Sequence, residues 1–277
     1  MIRNVIVVSD LHCGCQLGLY PSDLEIPLDN GGFYTSSKLQ KKVWEYWNYF
    51  WNDWVPVATK KEPYAVVING DALDGIHHNS VTQVSQNMAD QLLIAETVLK
   101  PIRDKAEKFY MIRGTEAHVG KSAQYEEILA KHLEAEPDRN GKHSRWDLWL
   151  QLNKTALVHF THHIPHTSVS HYASTAILRE LMESFLLAGR WNNKPPDVIV
   201  RSHRHRCAEV RIPSANTYAI GLVTPAWQLV TPYAFRSMPG KLGISEIGGC
   251  LIRHGDEDVI YSRFHVMPIN QSEVVKI

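Results

Sequence analysis

Apolar positions in this chain fall into short β-branched runs separated by longer stretches with helical spacing. Val5 to Val8 (Val-Ile-Val-Val) and Tyr64 to Asn69 (Tyr-Ala-Val-Val-Ile-Asn) are continuous apolar runs, and Phe109 to Ile112 is a shorter third. Runs of this length and branching predict strands buried on both faces. Between the first two, Lys38 to Val55 places Val43, Trp47, Phe50, Trp51 and Trp54 at i, i+4, i+7, i+8 and i+11. That is the stripe of a helix laid on a sheet, with Ser36 or Ser37 as its cap. An aromatic stripe at this spacing is a core signal before it is a base-stacking platform. Ser85 to Ala106 repeats the pattern through Met88, Leu92, Ala95, Leu99 and Ile102, with a kink expected at Pro101. Ser122 to Glu134 is a further helix. Strand, helix, strand, helix, strand is the rhythm of an α/β domain whose ligands gather at the C-terminal strand ends.

The second half is richer in strands. Trp146 to Leu152 and Ala156 to Thr161 predict a hairpin turning at Asn153-Lys154, followed by a helix over Ala173 to Leu187. Asp197 to Val200, Cys207 to Ile212 and Tyr218 to Leu222 are further strands. A C-terminal hairpin, Gly249 to Arg253 and Val259 to Val266, turns at Gly255-Asp256. No linker or internal repeat interrupts the chain, so one domain over residues 1–277 with two sheets back to back is the economical expectation.

Chemistry sits where the strands end. Asp10 and His12 follow the first run, and a pleat would turn residues i and i+2 to one side. Gly70-Asp71 follows the second run, Arg113-Gly114-Thr115-Glu116-Ala117-His118 the third, and Thr161-His162-His163 the hairpin. Arg201-Ser202-His203-Arg204-His205 follows the strand at 197–200. A lone histidine beside a strand is usually a core or surface residue. Five such endings together point to a shared divalent-metal site. The spacing leaves open whether His162 or His163 faces it. The long loop 13–37 leaves from the same end, so Tyr20, Phe33 and Tyr34 are expected either to touch substrate or to pack on one another.

Bulk properties narrow the function. The 277 residues carry 29 basic and 29 acidic side chains, so no global field draws the protein to nucleic acid or an anionic membrane. No apolar run has the length of a membrane span, and Met1-Ile2-Arg3-Asn4 enters the first strand without a signal-peptide pattern. A cytoplasmic protein without membrane association is expected. Four scattered cysteines suit reduced thiols, and Cys13 and Cys15 lack the second pair that a thiolate site needs.

The order of the blocks, Asp10-Leu11-His12, Gly70-Asp71, Gly114-Thr115-Glu116-Ala117-His118, His162 and His203-Arg204-His205, resembles the D-x-H, G-D, G-N-H-(D/E), H, G-H-x-H series of the calcineurin-like metallophosphoesterases. The likeness spans residues 1 to about 206. It implies an α/β fold, a four-layer α/β/β/α sandwich of two mixed sheets, with 207–277 completing the second sheet. It implies two divalent metal ions, manganese first and iron or zinc as alternatives. Asp10, His12, Asp71 and His205 would hold one, and Asp71, Thr115, His162 and His203 the other, with Asp71 bridging. The implied reaction is hydrolysis of a phosphate ester by a hydroxide between the metals. Loop 13–37 and the arginines near the site favour a phosphodiester (DNA, RNA or a nucleotide), with a phosphomonoester or a non-catalytic binding protein on the same fold as alternatives.

Thr115 stands where the family has Asn, and no His follows it directly, so His118 is the substitute general acid and Glu116 a possible extra carboxylate. Arg113 and Arg201 are candidate phosphate clamps, with Arg204 and Arg206 beside them, because guanidinium pairs bidentately with phosphate. His78 is a further candidate for the substrate side, and Asp74 is expected to orient the loop after Asp71. Oligomeric state is not encoded in any of these features.

Overall fold

In the computed structural model, which describes residues 2–77, 80–165, 172–214, 217–237 and 244–276, the chain opens with strand β1 (Asn4–Val8), buried throughout. A loop carrying the short pair β2 (Ile26–Pro27) and β3 (Phe33–Tyr34) leads to helix α1 (Lys38–Tyr49). Ser37 caps α1 in a reciprocal box: its hydroxyl accepts from the Gln40 amide while the Gln40 side chain accepts from the Ser37 amide. The helix expected to run on to Val55 instead passes through a π-helical turn, Phe50–Trp54, before α2 (Val55–Ala58). Phe50, Trp51, Trp54 and Val55 are all buried, a wider face than a uniform α-helix presents.

Next come β4 (Tyr64–Asn69), α3 (Met88–Lys105), β5 (Lys108–Ile112), α4 (Glu116–Val119) and α5 (Gln124–His132). Helix α3 starts three residues later than expected because the Asn87 side chain caps it by accepting from the Ala89 amide, and it runs unbroken through Pro101. The second half holds β6 (Ser144–Arg145), β7 (Leu148–Leu152), β8 (Ala156–Phe160), α6 (Thr175–Trp191), β9 (Val198–Arg201), β10 (Ala208–Ser214), β11 (Thr217–Val223), α7 (Pro232–Ser237), β12 (Ile244–His254) and β13 (Ile260–Asn270). No helix among the described residues is long and apolar enough to cross a membrane.

Two mixed sheets result, ordered β13-β12-β1-β4-β5-β6 and β10-β11-β9-β8-β7. Strands β1, β4, β5 and β6 run parallel, as do β8, β9 and β11. The segment after residue 206 does not all complete the second sheet. Strands β10 and β11 join it, but the β12–β13 hairpin joins the first, with β12 antiparallel to β1. The reason lies in β1: a strand buried on both faces needs a ladder partner on each edge, and β4 supplies only one.

Alternation decides which side chains meet. Val5 and Val7 of β1 share a core with Val158 and Phe160 of β8 and with Val198 and Val200 of β9. Their neighbours Ile6 and Val8 pack instead with Val43, Trp47 and Phe50, and with Ile94 and Leu99 of α3. On the second sheet, Ile199 and Val223 pack with Ile177 and Leu181 of α6.

Loop 13–37 is folded inward at its start. Cys13 forms a bridge with Leu73, and Tyr20 is fully buried, its hydroxyl donating to the Leu24 and Tyr34 carbonyls. Tyr20 is therefore a core residue rather than a substrate contact, while Phe33 is exposed. All four cysteines are free, and burial pushes the Cys13 and Cys15 thiols up, the latter to about 12, away from thiolate chemistry.

Candidate metal centre

Strand β1 ends at Val8, so Asp10 and His12 are not placed by its pleat. Both adopt left-handed backbone, φ 54° and 46°, as do Asp71 (52°), His203 (71°) and His205 (52°). Such conformations cost about 1–2 kcal/mol for most non-glycine residues and persist where the surroundings over-determine them. Here the backbone supplies that constraint. The Asp10, His12 and Cys13 amides donate to the Gly70, Asp71 and Ala72 carbonyls, each at 3.0 Å, so the loops after β1 and β4 run side by side. Beneath them a buried chain of hydroxyls and an amide ties the two sheets together. Ser9 and Ser202 each lie 2.7 Å from the Thr224 hydroxyl, and Asn69 Nδ2 donates to Ser202 Oγ at 2.7 Å.

Among the described residues, three groups of side chains each bring ligand atoms within 4.8 Å of one another: Asp10, His12 and His205; Asp71, His162 and His203; and His12, Asp74 and His118. In the first, Nε2 of His12 and Nε2 of His205 face each other at 3.2 Å, and His205 Nε2 lies 3.3 Å from Asp10 Oδ1. That oxygen is buried without a hydrogen-bond partner among the described residues. Burial works to raise the Asp10 carboxyl, but His205 and His162 outweigh it and hold it down to about 2.

The second group is internally bonded. His162 Nδ1 donates to the Asn69 carbonyl at 2.7 Å, which turns Nε2 toward Asp71 Oδ2 at 3.0 Å. His162 is buried whereas His163 is exposed, so His162 is the one that faces the group. The Thr115 amide donates to Asp71 Oδ1 at 2.7 Å and its hydroxyl to Oδ2 at 3.1 Å. The same hydroxyl lies 3.1 Å from His203 Nδ1 and 3.4 Å from His162 Nε2. Burial opposes a charge on His162, yet Asp71 and Asp10 push its pKa up to about 10. His162 Nε2 is also 4.0 Å from Asp10 Oδ1, so it joins the two groups.

The glycines of these blocks have steric reasons. A Cβ on Gly114 would fall 2.1 Å from Asp71 Oδ1, and one on Gly70 would fall 2.4 Å from His162 Nδ1. Gly70 also has φ +87°, a region that side chains avoid.

His118 lies at the edge of the first group, its ring 4.5 Å from that of His12. Its Nδ1 donates to the Asp74 carbonyl at 2.6 Å, and its Nε2 is 4.0 Å from Asp71 Oδ2. Burial lowers its pKa to about 4, with Asp71 pulling the other way. Asp74, buried, sits 3.3 Å from His12 Nδ1 and accepts from Gln83 at 3.0 Å, and it stands in the third group with His12 and His118.

The arginines go elsewhere. Arg201 is buried with its Nε bonded to Glu180 at 2.6 Å and Nη1 to the Val200 carbonyl. Val200 faces the core shared by the sheets, so the pleat turns Arg201 toward α6. Arg113 donates to Ser144, approaches Glu127 at 3.5 Å and lies over the Trp146 ring. Both guanidinium groups are engaged in holding elements together, and neither is a free phosphate clamp. Arg204 donates to the Ala173 carbonyl. His78 lies outside the described residues, and Glu116 is exposed and absent from the three groups.

One buried acid went unnoticed in the sequence. Glu126, fully buried, accepts from the Ala72 amide at 3.1 Å and the Gly114 amide at 2.6 Å. Burial, then Asp71, raises its carboxyl to about 7. A signal was there: Glu126 shares the i, i+3, i+4, i+7 face of Leu129, Ala130 and Leu133, all buried.

The donor set suits divalent cations. Two buried carboxylates, four imidazoles (that of His162 fixed through its far nitrogen) and a carboxylate oxygen without a hydrogen-bond partner among the described residues converge at strand ends. No protein-family model and no curated protein matches the chain. Among solved structures, protein TM1076 of Thermotoga maritima is 12% identical with a TM-score of 0.36, over 97% of this chain and all of that one. Vps29 of Chaetomium thermophilum is 9% identical with a TM-score of 0.37, over 97% of this chain and 99% of that one. Both likenesses are loose, and the reading of the site rests on this chain's own residues.

Proposed function

We propose that this chain is a metal-dependent phosphoric ester hydrolase of the calcineurin-like kind, folded as one four-layer α/β/β/α domain and working in the cytoplasm. The observation that carries this reading is the meeting of two ligand groups at His162, 3.0 Å from Asp71 and 4.0 Å from Asp10. Asp10, His12, Asp71 and His205 would hold one divalent cation, and Asp71, Thr115, His162 and His203 the second. Two such cations, manganese first and iron or zinc as alternatives, supply Lewis acidity toward phosphoryl oxygens and lower the pKa of water. One carboxylate shared between them offsets their repulsion.

The remaining work falls to side chains. The Asn69 carbonyl fixes His162 so that its Nε2 faces the site, and the Asp74 carbonyl does the same for His118. His118 would carry a proton to the leaving oxygen. Burial lowers its pKa to about 4, and an anionic phosphate beside it would work against that shift.

The leaning toward a diester rested on loop 13–37 and the arginines, and Tyr20, Arg113 and Arg201 are engaged inside the protein. The proposal is therefore made at the level of phosphate esters. Hydrolysis of a bis-aryl and a mono-aryl phosphate with added manganese assigns the class, diester (nucleic acid or nucleotide) or monoester. Manganese-dependent turnover that disappears in Asp71→Asn is the expected result. Absence of both metal uptake and turnover would overturn the reading.

A second reading, a binding protein on the same fold, draws on Thr115. Its hydroxyl is a weaker ligand than an amide oxygen and already has partners in Asp71 and His203. Stoichiometric metal without turnover on either ester would favour it.

A further inference from the structure

Glu126 sits on α5, off the strands that carry the ligand groups, and it is fully buried. Its two oxygens are divided between two loops. Oε1 accepts from the Ala72 amide at 3.1 Å, directly after Asp71, and Oε2 accepts from the Gly114 amide at 2.6 Å, directly before Thr115. The next amide along, that of Thr115, donates to Asp71 Oδ1 at 2.7 Å. Consecutive amides of the loop after β5 are thus held by two different carboxylates, one from beneath and one within the site. The loops are also in van der Waals contact, since a Cβ on Gly114 would stand 2.3 Å from the Asp71 amide nitrogen.

We propose that Glu126 is a positioning residue: it clamps the loop after β4 to the loop after β5 and so sets Asp71 and Thr115 at the separation a shared cation needs. This rests on the metal reading above. A carboxylate is suited to the task because it offers two acceptors in a rigid fork and no donor. Glutamine has the same shape, but its NH2 would meet one of the two amides donor to donor. The clamp therefore predicts a defect from Glu126→Gln that loss of packing does not explain.

Manganese affinity, steady-state kinetics and melting temperature are to be measured for the wild type, Glu126→Gln and Leu129→Ala. Leu129 lies one turn along the same helix, is fully buried and belongs to the core beneath the first sheet. The expected result is manganese affinity weakened at least about tenfold in Glu126→Gln, with kcat falling more than KM changes. Leu129→Ala should melt at lower temperature yet keep its manganese affinity within about twofold. Wild-type affinity in Glu126→Gln, or equal weakening in Leu129→Ala, would overturn the proposal. If the wild type takes up no manganese, the metal reading has failed, and amide hydrogen exchange decides the clamp. Slow exchange at Ala72 and Gly114 that quickens in Glu126→Gln sustains it, and equal exchange in both proteins overturns it.

Discussion

The two ligand groups differ in what holds them. Around Asp71, every ligand atom has a protein partner: Thr115 donates twice to the carboxylate, and His162 and His203 crowd the same hydroxyl. Around Asp10, two imidazole nitrogens face each other at 3.2 Å and a buried carboxylate oxygen has no hydrogen bond. The first arrangement coheres through hydrogen bonds and a proton on His162. The second brings two imidazole nitrogens and a carboxylate oxygen to one point, where a cation or a proton on His205 would satisfy them. One shared site can therefore contain a half in which a cation competes with protein partners and a half in which it does not.

The largest expected effect removes the carboxylate proposed to be shared by the two cations. Asp71→Asn should lower manganese-dependent ester hydrolysis by about a thousandfold, several kcal/mol of charge stabilisation. An Asp71→Asn protein with undiminished turnover would break the idea of a shared ligand. Gly114→Ala is next. Its Cβ would stand 2.1 Å from Asp71 Oδ1, so the carboxylate must move. Weakening of roughly ten- to a hundredfold is expected, largest in the Asp71 half and read by metal titration.

The proton sharpens the contrast. Asp71 and Asp10, against burial, raise His162 from 6.5 to about 10 in the fold. Its contribution to stability is fully present below pH 6.5 and is lost as pH rises toward 10. Chelator-treated protein should therefore melt at progressively lower temperature between pH 7 and 10. A cation entering the Asp71 half must displace that proton, so its affinity should climb by about one decade per pH unit over this range. Calorimetry in buffers of different ionisation heat would count the proton released. A pH-independent affinity there would erase the distinction between the halves.

Thr115→Val deletes the hydroxyl that joins Asp71 to His203. A loss of about tenfold in binding of one cation but not the other is expected, resolved by stoichiometric titration. Smallest is Tyr20→Phe, which should cost about 1 kcal/mol by denaturant melting and leave turnover unchanged. A large activity loss there would return the loop to the substrate side.

Much of this was legible from residue order. Buried strands show as β-branched runs, and a carboxylate or imidazole just beyond such a run has few reasons to be there except ligation. Hence residue order alone points to Asp10, His12, Asp71, His203 and His205, which the fold gathers into two groups, and leaves only the choice between His162 and His163 to the geometry. What was hidden depends on direction rather than type. Arg201 is one residue past Val200, and only the facing of that strand tells whether it looks into the site or toward Glu180 on α6. Glu126 pairs with amides 54 and 12 residues away, and backbone partners leave no mark on composition. The convergence of Asp10 and His12 was foreseen for the wrong reason, since left-handed turns and not the pleat bring it about. The β12–β13 hairpin was legible as a hairpin, but its place beside β1 follows from an unpaired edge that only the assembled sheet reveals.

The π-helical turn at Phe50–Trp54 carries a consequence for length. Its outward residues Asn52 and Asp53 are exposed, so deleting either removes no core side chain. The helix could then rewind as a uniform α-helix, with Trp54 three rather than four residues past Phe50 and so turned about the helix axis relative to it. That would pull it off the Phe50 and His265 rings on which it stacks. Phe50 and Trp47 in turn pack on Trp227, whose amide donates to the Asp10 carbonyl at 3.0 Å. A one-residue shortening at the surface should therefore be felt at Asp10 as weaker manganese binding. The number of residues in that turn would then bear on the candidate site from outside it.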